Sequence, residues 1–124
     1  MVAVDTSTLI AFIQGSSGVD VATFDERLAA NDIVLPPVVL SEFLSEPAMP
    51  ARHRTLALQL PTIEIADGYW VRAAATRAIV LERKLRARLP DALIAQSCID
   101  TDTALITRDQ DFRHFAKHCG LKLA

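Results

Sequence analysis

Four separate segments of this chain carry carboxylates next to apolar residues. The acids are Asp5, Glu42, Asp91 and the closely spaced Asp109 and Asp111. Carboxylates that are brought together repel one another, and a hard divalent cation with oxygen ligands can neutralise them. No histidine or cysteine is among these residues, which favours Mg²⁺ or Mn²⁺ over zinc. Such a site would polarise a phosphate and help generate hydroxide from water, so these residues predict metal-dependent phosphoryl chemistry.

Each acid also has an ordinary structural explanation when it is considered alone. Asp5 and Asp91 are well placed to cap helices, and Asp109 and Asp111 are common turn or cap residues. Glu42 interrupts an apolar helix pattern, where a carboxylate is costly unless it is paired or lies at the exposed edge. The presence of all five acids together favours a metal site over five separate structural roles.

Two predicted strands would bring some of these acids to one edge of a sheet. The apolar run 1–4 is typical of a buried strand and ends at Asp5. A second run at 104–107 precedes Asp109 and Asp111. Ligands of open parallel sheets bind beyond the carboxyl ends of the strands. These acids should therefore meet if the two strands are parallel neighbours.

Helices are expected to supply the other two acids. Pro36-Pro37 opens a helix that carries Glu42, and Pro90 opens another that carries Asp91, since proline is tolerated in a first turn. Further helices are predicted at 9–13, 21–30, 53–60, 68–89 and 111–118, and further strands at 33–35, 63–65 and 121–123. This alternation indicates an α/β sandwich around a mainly parallel sheet, formed by a single domain over residues 1–124.

The longest predicted helix begins after Asp67-Gly68 and is broken at Leu89-Pro90. Its apolar residues define one predicted buried face, made of Val71, Ala74, Ala75, Ala78, Ile79, Leu81 and Leu85. Most of the arginines of this segment fall outside that face.

The net charge of −2 conceals two regions of opposite sign. Residues 1–50 contain seven acids and one base, whereas residues 72–88 contain six bases and one acid. The basic stretch suits an anionic partner such as nucleic acid, although a solvated helix face has the same composition. The sequence shows no bilayer-spanning run or signal peptide, and its two cysteines form no metal-binding or disulfide pattern. We therefore expect a cytoplasmic, reduced protein with no membrane partner.

The acidic segments together resemble PIN-domain ribonucleases, particularly the VapC/FitB-like toxins of prokaryotic type II toxin–antitoxin pairs. The matching stretches are Val4-Asp5-Thr6-Ser7, Leu40-Ser41-Glu42-Phe43, Leu89-Pro90-Asp91-Ala92-Leu93-Ile94-Ala95 and Leu105-Ile106-Thr107-Arg108-Asp109-Gln110-Asp111-Phe112. Any one stretch is weak, but their order and spacing cover essentially the whole chain. The resemblance implies a three-layer α/β/α sandwich and an endoribonuclease that depends on Mg²⁺ or Mn²⁺. It also implies a homodimer that is inhibited by a cognate VapB-like antitoxin.

Residue by residue, the resemblance assigns three acidic metal-site positions to Asp5, Glu42 and Asp91. It places the fourth on Asp109, with Asp111 as a supporting acid, and the choice between these two stays open. Glu42 would bind the metal directly, bind it through water or orient the nucleophile. The implied reaction is attack of a metal-activated water on a phosphodiester of single-stranded or loop RNA.

Two further groups of residues have roles under this interpretation. Hydroxyl groups at Thr6, Ser7 and Thr107 match positions that can hydrogen-bond the carboxylates or a metal-bound water, although a role in turns would explain them equally well. The candidates for holding the RNA backbone are Arg83, Lys84, Arg86 and Arg88.

Other functions fit these residues less well. A receiver-type signalling domain would need an acidic pair after the first strand, and a haloacid-dehalogenase-type phosphatase would need an aspartate where Ser7 stands. The main alternative is a PIN-like protein that no longer cleaves and only binds RNA or its antitoxin. Gln96 and Ser97 depart from the small residues expected after Leu-Ile-Ala, which puts the shape of the groove wall in doubt.

Overall fold

A short parallel sheet lies at the centre of the fold. In the computed structural model, which describes residues 1–124, the strands are β1 (Val2–Val4), β2 (Ile33–Val34) and β3 (Leu105–Ile106). β1 lies in the middle, and its Ala3 is paired with β2 on one side and with β3 on the other. All three strands are buried along their whole length, as expected for a parallel sheet that is covered on both faces.

Seven helices surround this sheet. They are α1 (Thr6–Ile13), α2 (Val19–Ala29), α3 (Pro37–Leu44), α4 (Ala51–Gln59), α5 (Tyr69–Glu82), α6 (Leu89–Asp100) and α7 (Phe112–Cys119). Parallel strands that alternate with helices form the layers of an α/β/α sandwich, which confirms the predicted fold class. None of the helices combines the length and the apolar character needed to cross a membrane.

Two predicted strands are reduced to single bridges. Next to the segment predicted at 63–65, the one bridge is formed by the adjacent Thr62, which lies opposite Leu35; the segment at 121–123 has one bridge, from Leu123 to Leu105. Both bridges lie at the outer edges of the sheet. A segment at an edge has a pairing partner on one side only, so the local apolar pattern does not ensure a regular strand there.

Phenylalanines fix the site-bearing elements to the core. Phe43 on α3 and Phe112 on α7 are each 1% exposed, and both belong to a single cluster of 23 buried residues. Each follows an acid of interest directly in the chain, Glu42 in one case and Asp111 in the other. Burial of a large aromatic side chain therefore fixes the backbone from which each acid projects.

Helix α5 buries a different face from the one predicted. Its buried residues are Tyr69, Ala73, Thr76 and Val80, which follow helical spacing. The predicted face is exposed instead, at Val71, Ala74, Ala75, Ala78, Ile79 and Leu81. Only Leu85, which lies beyond the end of the helix, packs against the core as expected.

Polar contacts with α6 decide which face of α5 is buried. The Tyr69 hydroxyl donates to the Leu93 carbonyl, and the Thr76 hydroxyl donates to the Gln96 side chain. Both contacts join residues that are buried or partly buried. If α5 were rotated so that its predicted face packed on the core, these polar groups would lose their partners. Apolar and alanine residues occupy both sides of α5, and periodicity alone could not separate its two faces.

Candidate functional site

Asp5 lies at the carboxyl end of β1 and is the N-cap of α1. Its Oδ1 accepts a hydrogen bond from the Thr8 amide at 3.0 Å, and its Oδ2 accepts one from the Thr107 hydroxyl at 2.6 Å. The Ser7 hydroxyl donates to the same carboxylate at 2.8 Å. The residue is only 2% exposed. Burial raises the pKa of Asp5, and these hydrogen bonds oppose the rise.

Thr107 connects this carboxylate to the loop after β3. Its hydroxyl donates to Asp5 and accepts a hydrogen bond from the Asp109 amide at 2.9 Å. Asp109 Oδ1 in turn accepts from the Asp111 amide at 2.9 Å. Because β1 and β3 are parallel neighbours, their carboxyl ends place these acids at one edge of the sheet.

Asp91 lies in the first turn of α6 and is 6% exposed. Arg88 forms ion pairs with both Asp91 and Asp109. Its Nε lies 3.2 Å from Asp91 Oδ2, and its Nη2 lies 3.4 Å from Asp109 Oδ2. Burial raises the pKa of Asp91, the positive charge of Arg88 opposes the rise, and the negative charges of Asp109 and Asp111 add to it. The charge of the buried Asp91 is therefore balanced by the guanidinium of Arg88, although two other acids lie beside it.

Three carboxylates lie close enough together to share a cation. Asp91, Asp109 and Asp111 each offer an oxygen within 4.8 Å of the other two. Arg86 also contacts this group, with its Nε at 3.4 Å from Asp111 Oδ2. An all-oxygen donor set fits a hard cation such as Mg²⁺ or Mn²⁺ and lacks the imidazole and thiolate ligands that zinc prefers.

Glu42 faces these acids from α3. It is exposed, and its Oε1 accepts a hydrogen bond from the Thr6 hydroxyl at 2.7 Å. The carboxylate therefore avoids the cost of burial by lying at the exposed edge of an otherwise apolar helix, one of the two arrangements considered for it.

One cavity joins the four principal acids. It has a volume of about 210 Å³ and is lined by Asp5, Glu42, Asp91 and Asp109, together with Arg88. The hydroxyl residues Thr6 and Ser7 also line it, whereas Asp111 does not. Asp111 belongs to the carboxylate cluster but lies outside this cavity, at the N-cap of α7.

The predicted basic residues divide into two pairs. Arg86 and Arg88 form ion pairs with the acids of the cluster. Arg83 and Lys84 are exposed at the far end of the same segment and form no ion pair.

Gln96 and Ser97 lie away from the cavity. Gln96 contacts Thr76 on α5 and donates to Asp100 at 2.8 Å, and the Ser97 hydroxyl donates to the Ile94 carbonyl at 2.8 Å. Both residues are buried. The departure from small residues therefore serves the packing of α5 on α6 and does not alter the wall of the cavity.

An ion pair that the sequence does not indicate holds the loop carrying Asp109. Arg108 binds Asp20 in α2 through two nitrogens, at 2.8 and 3.0 Å, and donates to the Ser17 carbonyl at 3.0 Å. The Thr8 hydroxyl donates to Asp20 at 2.9 Å. The hydrogen bond from Arg108 lowers the pKa of Asp20. An acid directly before the predicted helix 21–30 was the available signal, but nothing local identified its partner.

Comparison with known proteins identifies the family. Among solved structures, VapBC2 from Rickettsia felis, crystallised with a DNA fragment from the promoter, is similar over 100% of this chain and 98% of that chain. The TM-score is 0.74 at 19% sequence identity, which shows a shared fold. The family model for the PIN domain matches residues 2–118, the range that contains every acid of the cavity. Since that match spans nearly the whole sequence, the chain belongs to the PIN-domain family.

Proposed function

We propose that this chain is a VapC-type toxin that hydrolyses RNA phosphodiester bonds as a metal-dependent endoribonuclease. The observation that carries the proposal is the single cavity lined by Asp5, Glu42, Asp91 and Asp109. Membership of the PIN-domain family supports nuclease chemistry at that cavity. The similarity to the structure of VapBC2 supports the assignment to toxins of this type.

The donor set suits Mg²⁺ or Mn²⁺, which Asp5, Asp91 and Asp109 would hold, with Asp111 as a supporting acid. When bound, the ion would activate water and neutralise charge on the phosphate. Thr107 and Ser7 hold the Asp5 carboxylate in a fixed orientation through hydrogen bonds of 2.6 and 2.8 Å.

Glu42 and Arg88 act at the exposed side of the cavity in this proposal. Glu42, held by Thr6, would bind the ion directly, bind it through water or orient the attacking water. Arg88, whose side chain is 53% exposed, is able to contact a substrate phosphate while its backbone stays fixed before α6. Arg83, Lys84 and Arg86 are proposed to bind the RNA backbone farther from the scissile bond.

Two protein partners complete the proposed function. A VapB-like antitoxin would cover the acidic cavity, and a second copy of this chain would cover the exposed apolar face of α5, where Val71 is 75% exposed. A toxin that cleaves cellular RNA would act in the cytoplasm, where its substrates and its antitoxin are made.

Cleavage of defined single-stranded RNAs tests the enzymatic part of the proposal. We expect cleavage by the native chain with Mg²⁺ or Mn²⁺, none with chelator, and strong loss of activity in Asp5→Asn and Asp91→Asn. Asp25→Asn removes an exposed acid from α2 and is the matched control, which should cleave normally. Cleavage that resists chelator, or full activity of both site variants, would exclude the metal centre. RNA binding without any cleavage would favour the catalytically silent alternative.

Growth of cells that express the chain tests the toxin part. We expect growth arrest by the native chain and none by Asp91→Asn. Co-expression of the product of a small adjacent reading frame should restore growth. That product should also co-purify with the chain. Growth arrest that persists in Asp91→Asn would separate toxicity from RNA cleavage.

A further inference from the structure

A second cavity adjoins the acidic one at Glu42, which lines both. Its volume is about 370 Å³, within the range of about 300–1,000 Å³ that is typical of small-molecule sites. At the start of α6, Arg88 and Asp91 line the acidic cavity. Leu89 and Pro90, which stand between them in the chain, line the second cavity. A ligand held by the acids is therefore a direct neighbour of the second cavity.

The side chains that line this cavity differ in polarity from one helix to the next. The polar groups all come from α3, as the hydroxyls of Ser41 and Ser45 and the carboxylate of Glu42. The residues from α5 and α6 are all apolar and consist of Trp70, Leu89, Pro90 and Leu93. No lysine, arginine or histidine lines the cavity. A carboxylate without a cation beside it repels phosphate, so the cavity suits a neutral ligand and not the RNA backbone.

Trp70 is the one tryptophan of the chain, and it is 65% exposed. Tryptophan is highly buried on average, so exposure of this extent indicates a surface that a ligand or partner covers. Trp70 is also the only residue of α5 that lines the second cavity. The outer face of α5 with Val71 and Ala78, which is proposed to bind a second copy of the chain, does not line it.

The neighbouring Tyr69 supports the indole ring of Trp70. The two rings pack edge to face, with their centroids 5.0 Å apart and their planes at 82°. Tyr69 is buried, and its hydroxyl donates to the carbonyl of Leu93, which also lines the cavity. Two sides of the cavity are therefore joined through Tyr69, and a ligand that stacks on Trp70 meets a wall that is already in place. Such preorganisation lowers the cost of binding.

We propose that the second cavity binds one unpaired nucleobase of the RNA substrate, stacked on Trp70. The inference rests on the proposed endoribonuclease function and adds a residue that recognises a nucleotide beside the bond to be cleaved. The faces of a base stack on aromatic side chains, and its edge carries hydrogen-bonding groups. The indole matches the faces, whereas Glu42 and the two serine hydroxyls match the edge. A base in a duplex is stacked and paired, so this contact favours single-stranded or looped RNA.

Intrinsic fluorescence tests the proposal directly, because Trp70 is the only tryptophan. The probe is an oligouridylate, added to the Asp91→Asn chain so that the RNA stays intact. We expect the emission of Trp70 to be quenched as the oligouridylate binds. An oligomer of abasic ribose phosphates of the same length should leave the emission unchanged. Absence of quenching by the oligouridylate, or equal quenching by both oligomers, would overturn the proposal.

Replacement of Trp70 measures the contribution of stacking to binding, again in the Asp91→Asn background. Trp70→Leu keeps an apolar side chain and should weaken binding of fluorescein-labelled oligouridylate about tenfold. The slope of log affinity against log salt should stay the same, because stacking releases no counterions. Trp70→Phe keeps an aromatic ring and should retain most of the affinity.

The control for this replacement is Leu58→Ala in α4. It truncates an apolar side chain of similar exposure, 62%, that does not line the cavity, and it should bind the oligouridylate like the parent chain. Binding of the abasic oligomer should be the same in Trp70→Leu and in its parent. If Trp70→Leu kept the full affinity for oligouridylate, or lost as much affinity for the abasic oligomer, the stacking role would be refuted.

The emission of Trp70 also separates a nucleobase from a second copy of the chain. Ala78→Glu places a charge on the outer face of α5 to prevent self-association, and quenching by oligouridylate should be unchanged in that variant. If the emission instead shifted to longer wavelength in Ala78→Glu and responded to RNA in neither chain, a second copy would cover Trp70 and the proposal would fail. RNA cleavage by the chain with Asp91 intact would leave the proposed function standing in that case. Absence of cleavage by that chain would overturn the proposed function itself.

Discussion

Thr107 shows how much of the site depends on one small side chain. Its hydroxyl joins the Asp5 carboxylate to the backbone of Asp109, with distances of 2.6 and 2.9 Å. Asp5 is buried, and burial raises its pKa, so every hydrogen bond to its charged form matters. Arg88 has the corresponding role for Asp91, which is also buried. The reactivity of these acids is therefore set by their immediate partners.

Replacement of Thr107 by valine should damage both stability and activity. The variant keeps the shape of the side chain but removes a hydrogen bond to a buried carboxylate, which typically contributes about 1.5–3 kcal/mol. We expect the free energy of unfolding, measured in urea, to fall by about that amount, and RNA cleavage to drop as Asp5 loses its orientation. Thr107→Ser keeps the hydroxyl and should be close to the native chain. Equal stability of the valine and serine variants would contradict the bridging role.

Replacement of Arg88 by glutamine should increase the affinity for Mn²⁺. The guanidinium neutralises Asp91 and Asp109 at positions that a cation would also occupy, so the two compete. A partly exposed ion pair contributes about 1 kcal/mol or less, which corresponds to roughly fivefold in affinity. Titration followed by the electron paramagnetic resonance of free Mn²⁺ measures this change without any assay of activity. Arg88→Lys keeps the charge and should change the Mn²⁺ affinity less. A lower Mn²⁺ affinity in Arg88→Gln would instead show that Arg88 helps to hold the ion.

At the scale of elements, contacts between remote helices and loops fix the site. Asp20 in α2 and Arg108 after β3 are separated by 88 residues, yet they are joined by two hydrogen bonds. Arg108 directly precedes Asp109, so this pair limits the movement of the loop that carries a site acid. The packing of α5 on α6 similarly holds α6, and with it Asp91, through Tyr69 and Thr76.

Stability should depend on pH through Asp20. The hydrogen bond from Arg108 lowers the pKa of Asp20 below the ordinary value of 3.8. Folding therefore favours the ionised form of Asp20. The stabilisation that this form gives is fully present above the ordinary pKa of 3.8, and it is lost as the pH falls through the lower pKa of the folded state. In urea unfolding, Asp20→Asn should be less stable than the native chain near neutral pH, and the difference should shrink below about pH 4.

The control for this prediction lies in the same helix. Asp25→Asn removes an exposed acid that forms no ion pair, and its stability should follow the native chain at every pH. If the difference in free energy of unfolding between the native and Asp20→Asn chains stayed constant down to acid pH, the result would contradict the role of the ion pair. It would assign the loss of stability to neutral hydrogen bonds.

At the scale of the whole molecule, charge and apolar surface are distributed unevenly. The net charge of −2 sums an acid-rich region over residues 1–50 and a basic stretch over residues 72–88, so the total gives no guide to an anionic partner. The outer face of α5 carries exposed apolar residues, including Val71 and Ile79, at 75% and 41% exposure. An apolar face of this kind marks an interface more often than bare surface.

Self-association should depend on this face of α5. We expect the native chain to be a dimer by sedimentation velocity and Ala78→Glu to be a monomer, since a carboxylate at the centre of an apolar interface loses its hydration. Ala78 is exposed within one chain, so the circular dichroism and melting temperature should change little. Leu58→Glu, at a residue of α4 that is 62% exposed, is the control and should remain dimeric. A monomeric native chain would exclude the homodimer.

The sequence by itself determined the chemical type of the site and the class of fold. Carboxylates in four segments, with no histidine or cysteine beside them, favour a hard cation whatever the details of packing. Local periodicity and proline-opened turns predicted the strands before Asp5 and Asp109 and the helices that carry Glu42 and Asp91. These features are local because they depend on residue type and on spacing within one element.

Only the tertiary structure decided which groups balance one another. It placed Arg88 between Asp91 and Asp109, joined Asp20 to Arg108 and turned the expected buried face of α5 outwards. The physical reason is that the free energies of burial and of ion pairing depend on distances between segments remote in sequence. A list of residues states which charges are present, whereas the fold sets which of them meet.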